Sequence, residues 1–345
     1  MNEPLVAKDW LAFHIFYASD ANPVIVEAVR PLIRDLRADG LIDGWFFIKY
    51  WMEGPHVRVR LHPTSPEAFE QVRSQTRSAL ETFLRRRPAL YENDADLLND
   101  LYKDMFLAEY SQADWDAKYG VDGAMPMRAN NTVVEFDYEP ELGRYGGTVG
   151  LQIAQWHFAQ SSDVVAGLLA RSNPHVRPVL LGLGAQLSLI LAYAFLGTDA
   201  AVAKFFAGYR SFWEDSYGQK SDDYHASFDK SLSSSGPQIA DRIARIRAAA
   251  AGDVAQLPPF ERNWVQHAQE LQAKVSCAAQ AGLLTFPDRD GSPVEITDPS
   301  ALASVLLSSY VHMTNNRLGV AILDEIYLSY LICGTLAGDE LAVPA

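Results

Sequence analysis

Apolar and basic residues alternate strictly over residues 56–62, which read His-Val-Arg-Val-Arg-Leu-His. Side chains alternate between the two faces of a β-strand, so this pattern predicts a strand with three apolar residues on one face. Its other face carries His56, Arg58, Arg60 and His62. Alternate residues lie about 6.6 Å apart along a strand, and two guanidinium groups at that spacing can hold a carboxylate or a phosphate. A solvated face of an antiparallel sheet alternates in the same way, so this strand alone leaves both interpretations open.

The pattern along the rest of the chain predicts an α+β fold, because strands concentrate in the first 140 residues and helices in the remainder. Strands are predicted at 10–18, 44–51, 56–62 and 132–138. Helices are predicted at 22–38, 65–86, 148–170, 175–196, 199–218, 237–250, 260–281, 298–314 and 322–333, with breaks at 231–237, 252–259 and 286–293. We therefore expect a small, mainly antiparallel sheet in the N-terminal part, packed with a predominantly helical C-terminal part.

The length of 345 residues allows one large domain or two modest ones. We predict a single domain over residues 1–345, interrupted by a less regular, acidic segment at 90–128 that resembles an insertion with short helices. The uncharged stretch 179–197 is long enough to span a membrane. Gln186 and Ser188 near its middle favour a buried central helix instead, and no membrane association is expected.

The formal net charge of −14 disfavours direct binding of nucleic acid or of an anionic membrane surface. The two cysteines, Cys277 and Cys333, have neither disulfide-framework nor zinc-site spacing. The N-terminus carries no signal-peptide pattern, so cytoplasmic residence is the expectation. The chain contains no glycine-rich phosphate loop, no nucleophile-elbow serine and no HExxH motif. His14 and His157 stand among apolar neighbours, and we expect both to be packing residues.

A second informative segment joins a predicted strand to a helix at residues 137–147. Arg144 precedes Gly146-Gly147, which permit a tight backbone and the close approach of a ligand. With the free N–H groups of the helix start, Arg144 would form an anion cradle. Arg144 could equally pair with Glu139 or Glu141 and fix the turn.

The third informative segment, residues 309–318, contains the candidate acid/base residue. His312 lies near the end of a predicted helix, with Asn316 one turn further on the same face if the helix continues. Histidine can act as acid and base near neutral pH, but a lone histidine is more often a core or capping residue. Arg317 could be a structural ion-pair partner.

Taken together and in this order, these segments resemble a known family. The segments are Trp45-Phe46-Phe47-Ile48-Lys49-Tyr50, Gly54-Pro55-His56-Val57-Arg58-Val59-Arg60, Tyr138-Glu139-Pro140-Glu141 with Arg144-Tyr145-Gly146-Gly147, and His312-Met313 with Asn316-Arg317-Leu318. They resemble the C-terminal, glutamate-elimination domain of class I lantibiotic dehydratases. In size the chain is similar to stand-alone versions called thiopeptide-type bacteriocin biosynthesis proteins. The resemblance runs from about Trp10 to Leu331.

The resemblance implies a lyase. In this family a partner enzyme esterifies Ser or Thr of a precursor peptide with glutamate from glutamyl-tRNA, and the elimination domain expels the glutamate. It suggests His312 as the acid/base, with Arg58, Arg60 and Arg144 binding the glutamyl group and stabilising negative charge. We expect three further residues of the same segments to bind substrate, namely Tyr145, Asn316 and Arg317. No metal and no organic cofactor are expected.

The expected partners are the leader and core of the precursor peptide and a separate glutamyl-tRNA-dependent glutamylating enzyme. The abundance of aromatic and apolar residues is compatible with a homodimer. Lys49 stands where many relatives have Arg. The thiopeptide pyridine synthases use the same scaffold for a formal cycloaddition between two dehydroalanines, with loss of water and leader peptide. Retention of all three arginines and the histidine favours elimination over that alternative. A non-catalytic leader-binding subunit is a further alternative.

Overall fold

The computed structural model describes residues 9–91, 95–217, 222–255, 257–287, 293–294, 296 and 299–337, with backbone only at 95–98, 222–223, 293 and 299–300. The chain forms two compact units. The first comprises Met1–Pro140 and Ala166–Arg171, and the second comprises Glu141–Val165 and Ser172–Ala345. The predicted α+β class is confirmed, because a four-stranded sheet lies in the N-terminal part and helices make up most of the C-terminal part.

The sheet of the first unit is antiparallel throughout and has the order β2-β3-β1-β4. Its strands are β1 (Leu11–Phe16), β2 (Ile42–Tyr50), β3 (His56–Pro63) and β4 (Thr132–Phe136). All four predicted strands are therefore present, with ends shifted by a few residues. Strand β3, which carries the alternating arginines, is flanked by β2 and β1 and lies inside the sheet.

Helices cover one face of this sheet. A π-helical turn, Val24–Val29, continues directly into α1 (Arg30–Ala38), and α2 (Ala68–Arg86) follows β3. Arg73 of α2 donates from Nε to Glu135 Oε1 at 2.9 Å. Glu135 stands opposite Phe13 in the register, and Phe13 stands opposite Val59. Residues directly opposite each other share a face, so Arg58, one residue before Val59, lies on the face that α2 does not cover.

The predicted irregular segment contains two helices, α3 (Ala95–Glu109) and α4 (Gln112–Tyr119). Ser111 and Asp114 form a reciprocal capping box at the start of α4. Buried side chains from these helices join two methionines in a small separate core, which consists of Met52, Tyr102, Phe106, Trp115 and Met125. The segment is thus folded around an apolar cluster that includes Met52 from outside it, while its status as an insertion stays a prediction.

Among its described residues, the second unit is helical apart from one pair of two-residue strands. Its elements are α5 (Leu142–Tyr145), α6 (Gly147–Arg171, whose last turns belong to the first unit), α7 (Arg177–Leu196), α8 (Asp199–Tyr217), α9 (Asp222–Ala250), α10 (Pro259–Gln280), β5 (Phe286–Pro287), β6 (Pro293–Val294), α11 (Pro299–Leu318) and α12 (Ile322–Ala337). Residue 298, the predicted first residue of α11, lies outside the described residues. Helix α11 continues four residues past its predicted end, which makes Asn316 and Arg317 helical.

Helix α7 contains the apolar stretch that is long enough to span a membrane. It packs against α8, α9, α10, α11 and α12, and its buried residues include Leu187, Leu189 and Leu191. Half of its most apolar 18-residue stretch is buried inside the structure. A central core helix is apolar around most of its circumference, so its composition follows from its packing within the second unit.

The predicted break at Ser231–Pro237 is wrong, because α9 runs through Pro237 without interruption. Proline removes one helical N–H and ordinarily kinks or ends a helix. Packing of α9 against α7 and α12 then outweighs the local signal of the serine-proline run.

Candidate functional site

The second unit holds His312 against a buried carboxylate. His312 lies on α11, and its Nδ1 donates to Oε1 of Glu325 on α12 at 3.0 Å. The Glu325 side chain is completely buried, whereas 19% of the His312 side chain is exposed. A carboxylate oxygen accepts and imidazole Nδ1 must donate, so this contact leaves Nε2 as the nitrogen for proton transfer. The pair has the composition of a histidine general base oriented by a carboxylate.

Helix α8 fixes this pair from a second side. The Tyr209 hydroxyl donates to Oε2 of Glu325, and the Trp213 ring lies 4.8 Å from the His312 ring, centroid to centroid. Burial, reinforced by the Glu325 charge, raises the pKa of Tyr209 well above its ordinary value. The tyrosine therefore stays a hydroxyl, and both carboxylate oxygens of Glu325 accept a hydrogen bond.

Arg144, on α5, contacts the face of α11 that carries His312. Its Nε donates to Ser309 Oγ at 3.1 Å, and Ser309 precedes His312 by three residues, which places both side chains on one helix face. Its Nη1 lies 3.4 Å from Glu141 Oε1 in a half-exposed ion pair. Exposed ion pairs of this kind contribute little to the free energy of unfolding. The pairing of Arg144 with Glu141 is thus present, and Arg144 also contacts the helix of the candidate base. Its part in an anion cradle stays a prediction.

Tyr145 and Arg317 are buried in the second unit. Tyr145 stacks on Tyr310 with centroids 6.3 Å apart. Arg317 is completely buried, and it donates from Nη1 to the Met313 carbonyl at 2.8 Å and from Nε to Ser162 Oγ at 3.2 Å. Burial lowers the pKa of Arg317 to about 9. These positions are typical of structural support, and the predicted contact of both residues with substrate stays a prediction.

The helix of His312 continues far enough to include Asn316, which the sequence left open. Helix α11 continues to Leu318, so Asn316 lies one turn beyond His312 on the same face. Its side chain is half-buried. The predicted role of Asn316 in substrate binding stays a prediction.

The first unit places Arg58 and Arg60 side by side on the sheet face away from α2. The Arg58 guanidinium lies 3.6 Å from the centroid of the Tyr50 ring, and its Nε donates to His56 Nε2 at 3.0 Å. Arg60 is buried, with Nη2 3.2 Å from His14 Nε2. Burial and the neighbouring Arg58 charge lower the pKa of Arg60 to about 9. The predicted alternation of β3 is therefore present, but its basic face is largely buried and is not a solvated sheet face.

The four predicted catalytic residues fall into two pairs. Arg58 and Arg60 belong to the first unit, and Arg144 and His312 belong to the second. The structure brings together the members of each pair. The predicted common pocket of all four stays a prediction.

Several residues of these arrangements escaped the sequence analysis. Glu325 and Tyr209 lie in segments for which the sequence predicted only helices, and His14 was expected to be a packing residue. A signal for Glu325 existed, because it stands on the same face of α12 as the buried residues Leu328 and Ile332, where an unpaired carboxylate would be costly. No comparable signal marked Tyr209, since a tyrosine is ordinary in an aromatic helix face.

Metal ligation has no candidate in the described part of the chain. No three His, Cys, Asp or Glu side chains there lie together in a group that could hold a metal ion.

The family model for the lantibiotic biosynthesis dehydratase C-terminal domain matches residues 10–336. The chain belongs to this family. The match spans both units and all four predicted catalytic residues. None of the curated proteins matches the chain.

Solved structures share the fold of this chain. The pyridine synthase TbtD from thiomuracin biosynthesis superposes with a TM-score of 0.74 at 21% identity, covering 95% of this chain and 98% of TbtD. TsrL gives a TM-score of 0.61 at 15% identity, covering 95% of this chain and 94% of TsrL. The tRNA-dependent lantibiotic dehydratase MibB from Microbispora sp. 107891 gives 0.50 at 17% identity, covering 97% of this chain and 28% of MibB. At these identities the comparisons establish a shared fold.

Proposed function

We propose that this family member releases glutamate from glutamylated Ser or Thr of a ribosomal precursor peptide and leaves dehydroalanine or dehydrobutyrine. A base removes the α-proton of the esterified residue, and the Cα=Cβ double bond forms. The Cβ–O bond breaks, and glutamate leaves as a carboxylate. The step is an elimination without net oxidation or reduction, so proton transfer and charge stabilisation are the demands on the protein.

The observation that carries this proposal is the hydrogen bond between His312 and the buried Glu325. His312 would take the α-proton at Nε2, while Glu325 holds Nδ1–H and stabilises the imidazolium that forms. A positioned general base contributes about 10²–10⁴-fold to such a proton transfer. The partial exposure of the His312 side chain is compatible with access by a peptide.

The arginines would bind the leaving group and stabilise its negative charge. Arg58, Arg60 and Arg144 carry planar guanidinium groups, which bind a carboxylate through two parallel hydrogen bonds better than lysine does. Arg60 forms no ion pair within the described part of the chain. Its positive charge is therefore available for the glutamyl group or for the departing glutamate.

We propose the leader and core of a precursor peptide as substrate, delivered by a separate glutamyl-tRNA-dependent enzyme in the cytoplasm. The acidic net charge of the chain supports a division in which the partner, not this protein, contacts tRNA. Family membership and the fold shared with MibB support a place in dehydratase chemistry. A homodimer remains a proposal.

The direct test is to incubate the protein with a precursor peptide that carries glutamyl-Ser. We expect free glutamate and dehydroalanine to appear in equal amounts, measured by amino-acid analysis and by the mass of the peptide. An intact glutamylated peptide after prolonged incubation with folded protein would contradict the proposal.

Substitution of the candidate base gives a sharper prediction. His312→Ala should lower kcat for glutamate release by about 10²–10⁴-fold, because the proton acceptor is lost. The exposed His175, in the turn before α7, offers the control His175→Ala, which should keep wild-type kcat. Glutamate release by His312→Ala at the wild-type rate would remove His312 from the mechanism.

A second candidate function is a pyridine synthase, which joins two dehydroalanines and expels water and leader peptide. The observation that favours it is the match to TbtD over nearly the full length of both chains. A peptide that already contains dehydroalanines distinguishes the two. Cyclisation of that peptide, with no glutamate released from the glutamylated one, would favour the synthase.

Two substitutions distinguish a third hypothesis, a non-catalytic leader-binding subunit, from both enzyme hypotheses. His312→Ala and Arg60→Ala would leave the modified peptide undiminished if this protein only binds the leader. Either enzyme requires loss of product in at least one of the two variants.

A further inference from the structure

The two arginines of β3 are held by histidines, and this arrangement extends the proposed function. His56 stands on β3 two residues before Arg58, and His14 stands on β1 directly opposite Arg58. The two imidazole rings stack on each other at 4.9 Å, and His14 also stacks on Phe136 at 4.2 Å. Aromatic packing therefore fixes both rings independently of their contacts with the arginines.

Hydrogen bonds determine which imidazole nitrogen accepts. Nδ1 of His56 lies 2.8 Å from the Gly54 carbonyl oxygen. Because a carbonyl only accepts, Nδ1 carries the hydrogen and Nε2 is left with its lone pair. Arg58 Nε–H donates to that Nε2 at 3.0 Å. The backbone turn at Gly54 thus sets the tautomer of His56, and the tautomer sets the orientation of Arg58.

Both histidines are neutral in this setting. Burial lowers the pKa of His56 to about 3, although the hydrogen bond to Gly54 acts in the opposite direction. Burial, followed by the charge of Arg60, moves the pKa of His14 far below its ordinary value. A neutral imidazole can orient a guanidinium group but cannot neutralise it, whereas a carboxylate in the same position would do both.

Arg60 retains an unused donor. Its Nη2 contacts His14, while its Nη1 is buried and has no hydrogen-bond partner among the described residues. A buried donor without an acceptor costs about 1–3 kcal/mol, and the cost is larger for a charged group. An anion that accepts from Nη1 would remove this cost, so the site favours an occupied state.

We propose that His14 and His56 are positioning residues, which orient Arg60 and Arg58 toward one carboxylate of the glutamyl group. This inference rests on the proposed function for the identity of the anion. The geometry requires an acceptor nitrogen at each histidine and no negative charge there. His62 of the same strand differs, because its Nδ1 pairs with the carboxylate of Asp43 at 2.5 Å.

Three kinds of substitution test the proposal in the full chain. Leucine at position 14 or 56 removes the acceptor and keeps much of the bulk, whereas glutamine returns a neutral acceptor near the position of Nε2. His62→Gln is the matched control, since His62 lies on β3 and holds no arginine. The readouts are the Kd for free L-glutamate by titration calorimetry, KM and kcat for glutamate release, and the temperature of unfolding.

We expect His56→Leu and His14→Leu to raise the Kd for L-glutamate and KM by about tenfold, with a smaller change in kcat, since one charge-assisted contact loses its geometry. His56→Gln and His14→Gln should recover most of that loss, and His62→Gln should match wild type. A purely structural role would lower the unfolding temperature of the leucine variants while their folded fraction keeps the wild-type KM.

Two results would overturn the inference. One is wild-type affinity for L-glutamate in a folded leucine variant, and the other is a glutamine variant as weak as its leucine counterpart. The two failures are separable. If wild type binds L-glutamate but releases none from a glutamylated peptide, the proposed function fails and the Kd values decide the inference alone. If wild type releases glutamate and all histidine variants do so with the wild-type KM, only the inference fails.

Discussion

Glu325 shows how one buried charge can organise a candidate site at the scale of residues. It receives hydrogen bonds from His312 and from Tyr209, on two different helices. Charged acceptors strengthen such bonds relative to neutral ones. The carboxylate touches no solvent, so it acts on a substrate only through His312. Its expected contribution is therefore to orientation and charge stabilisation.

Replacement of this carboxylate should separate rate from binding. Glu325→Gln should lower kcat for glutamate release by about 10–100-fold with KM nearly unchanged, because the imidazole loses its charged partner while the arginines remain. The control is Asp324→Asn at the preceding residue. Its half-buried carboxylate pairs with the exposed Arg177, so this substitution should leave kcat unchanged. A rise in KM at constant kcat would show instead that Glu325 shapes the binding site.

Helix α9 shows at the scale of elements that tertiary packing overrides a local breaking signal. Pro237 is exposed, so it contributes no packing of its own, and it cannot donate to the Ser233 carbonyl one turn earlier. The helix continues because α7 and α12 pack against it. The missing hydrogen bond is a local cost within a stable element.

Removal of that proline should stabilise the protein. Pro237→Ala restores the helical N–H and should raise the free energy of unfolding by about 2 kcal/mol, after allowance for the greater freedom of the unfolded chain. Urea unfolding at neutral pH measures this change, with the m value as a check that the exposed surface is unaltered. An unchanged or lower urea midpoint would mean that the proline conformation is required by its surroundings.

Buried neutral histidines link the stability of the whole molecule to pH. His267 and His157 share a hydrogen bond of 2.9 Å in the second unit, and burial lowers the pKa of His267 to about 4. In the first unit the pKa of His56 is lowered to about 3, mainly by burial. The unfolded chain protonates these side chains below about pH 6.5, where the folded protein does not. The unfolded state then binds more protons, so stability falls as the pH falls.

Acidification should therefore weaken the fold before most carboxylates titrate. Between about pH 7 and pH 5, His267 alone should contribute a loss of about 2 kcal/mol in the free energy of unfolding. His267→Phe should lower stability at neutral pH and also flatten the pH dependence, as urea unfolding at several pH values would show. A free energy of unfolding that stays constant over this range would contradict neutral burial of these histidines.

Much of the fold could be predicted from the sequence because its signals are local. Alternation identified β3, the pattern of apolar residues indicated the other three strands, and helical periodicity identified the helices that flank and follow the sheet. Arg58, Arg60, Arg144 and His312 could be named because each lies in a motif that resembles the family. Glu325 and Tyr209 could not be named, since their significance depends on contacts between helices that are far apart in the chain. The roles of His14 and His56 depended in the same way on strand register and burial.

The sequence by itself determined the α+β class, the strand that carries two arginines on one face, and membership of the dehydratase C-terminal family. The tertiary structure alone decided that His312 contacts a buried Glu325 and that His14 and His56 form hydrogen bonds with the arginines. The physical reason is the range of the interactions. Side-chain periodicity follows from backbone geometry over a few residues, whereas charge, tautomer and burial depend on neighbours that only folding brings together.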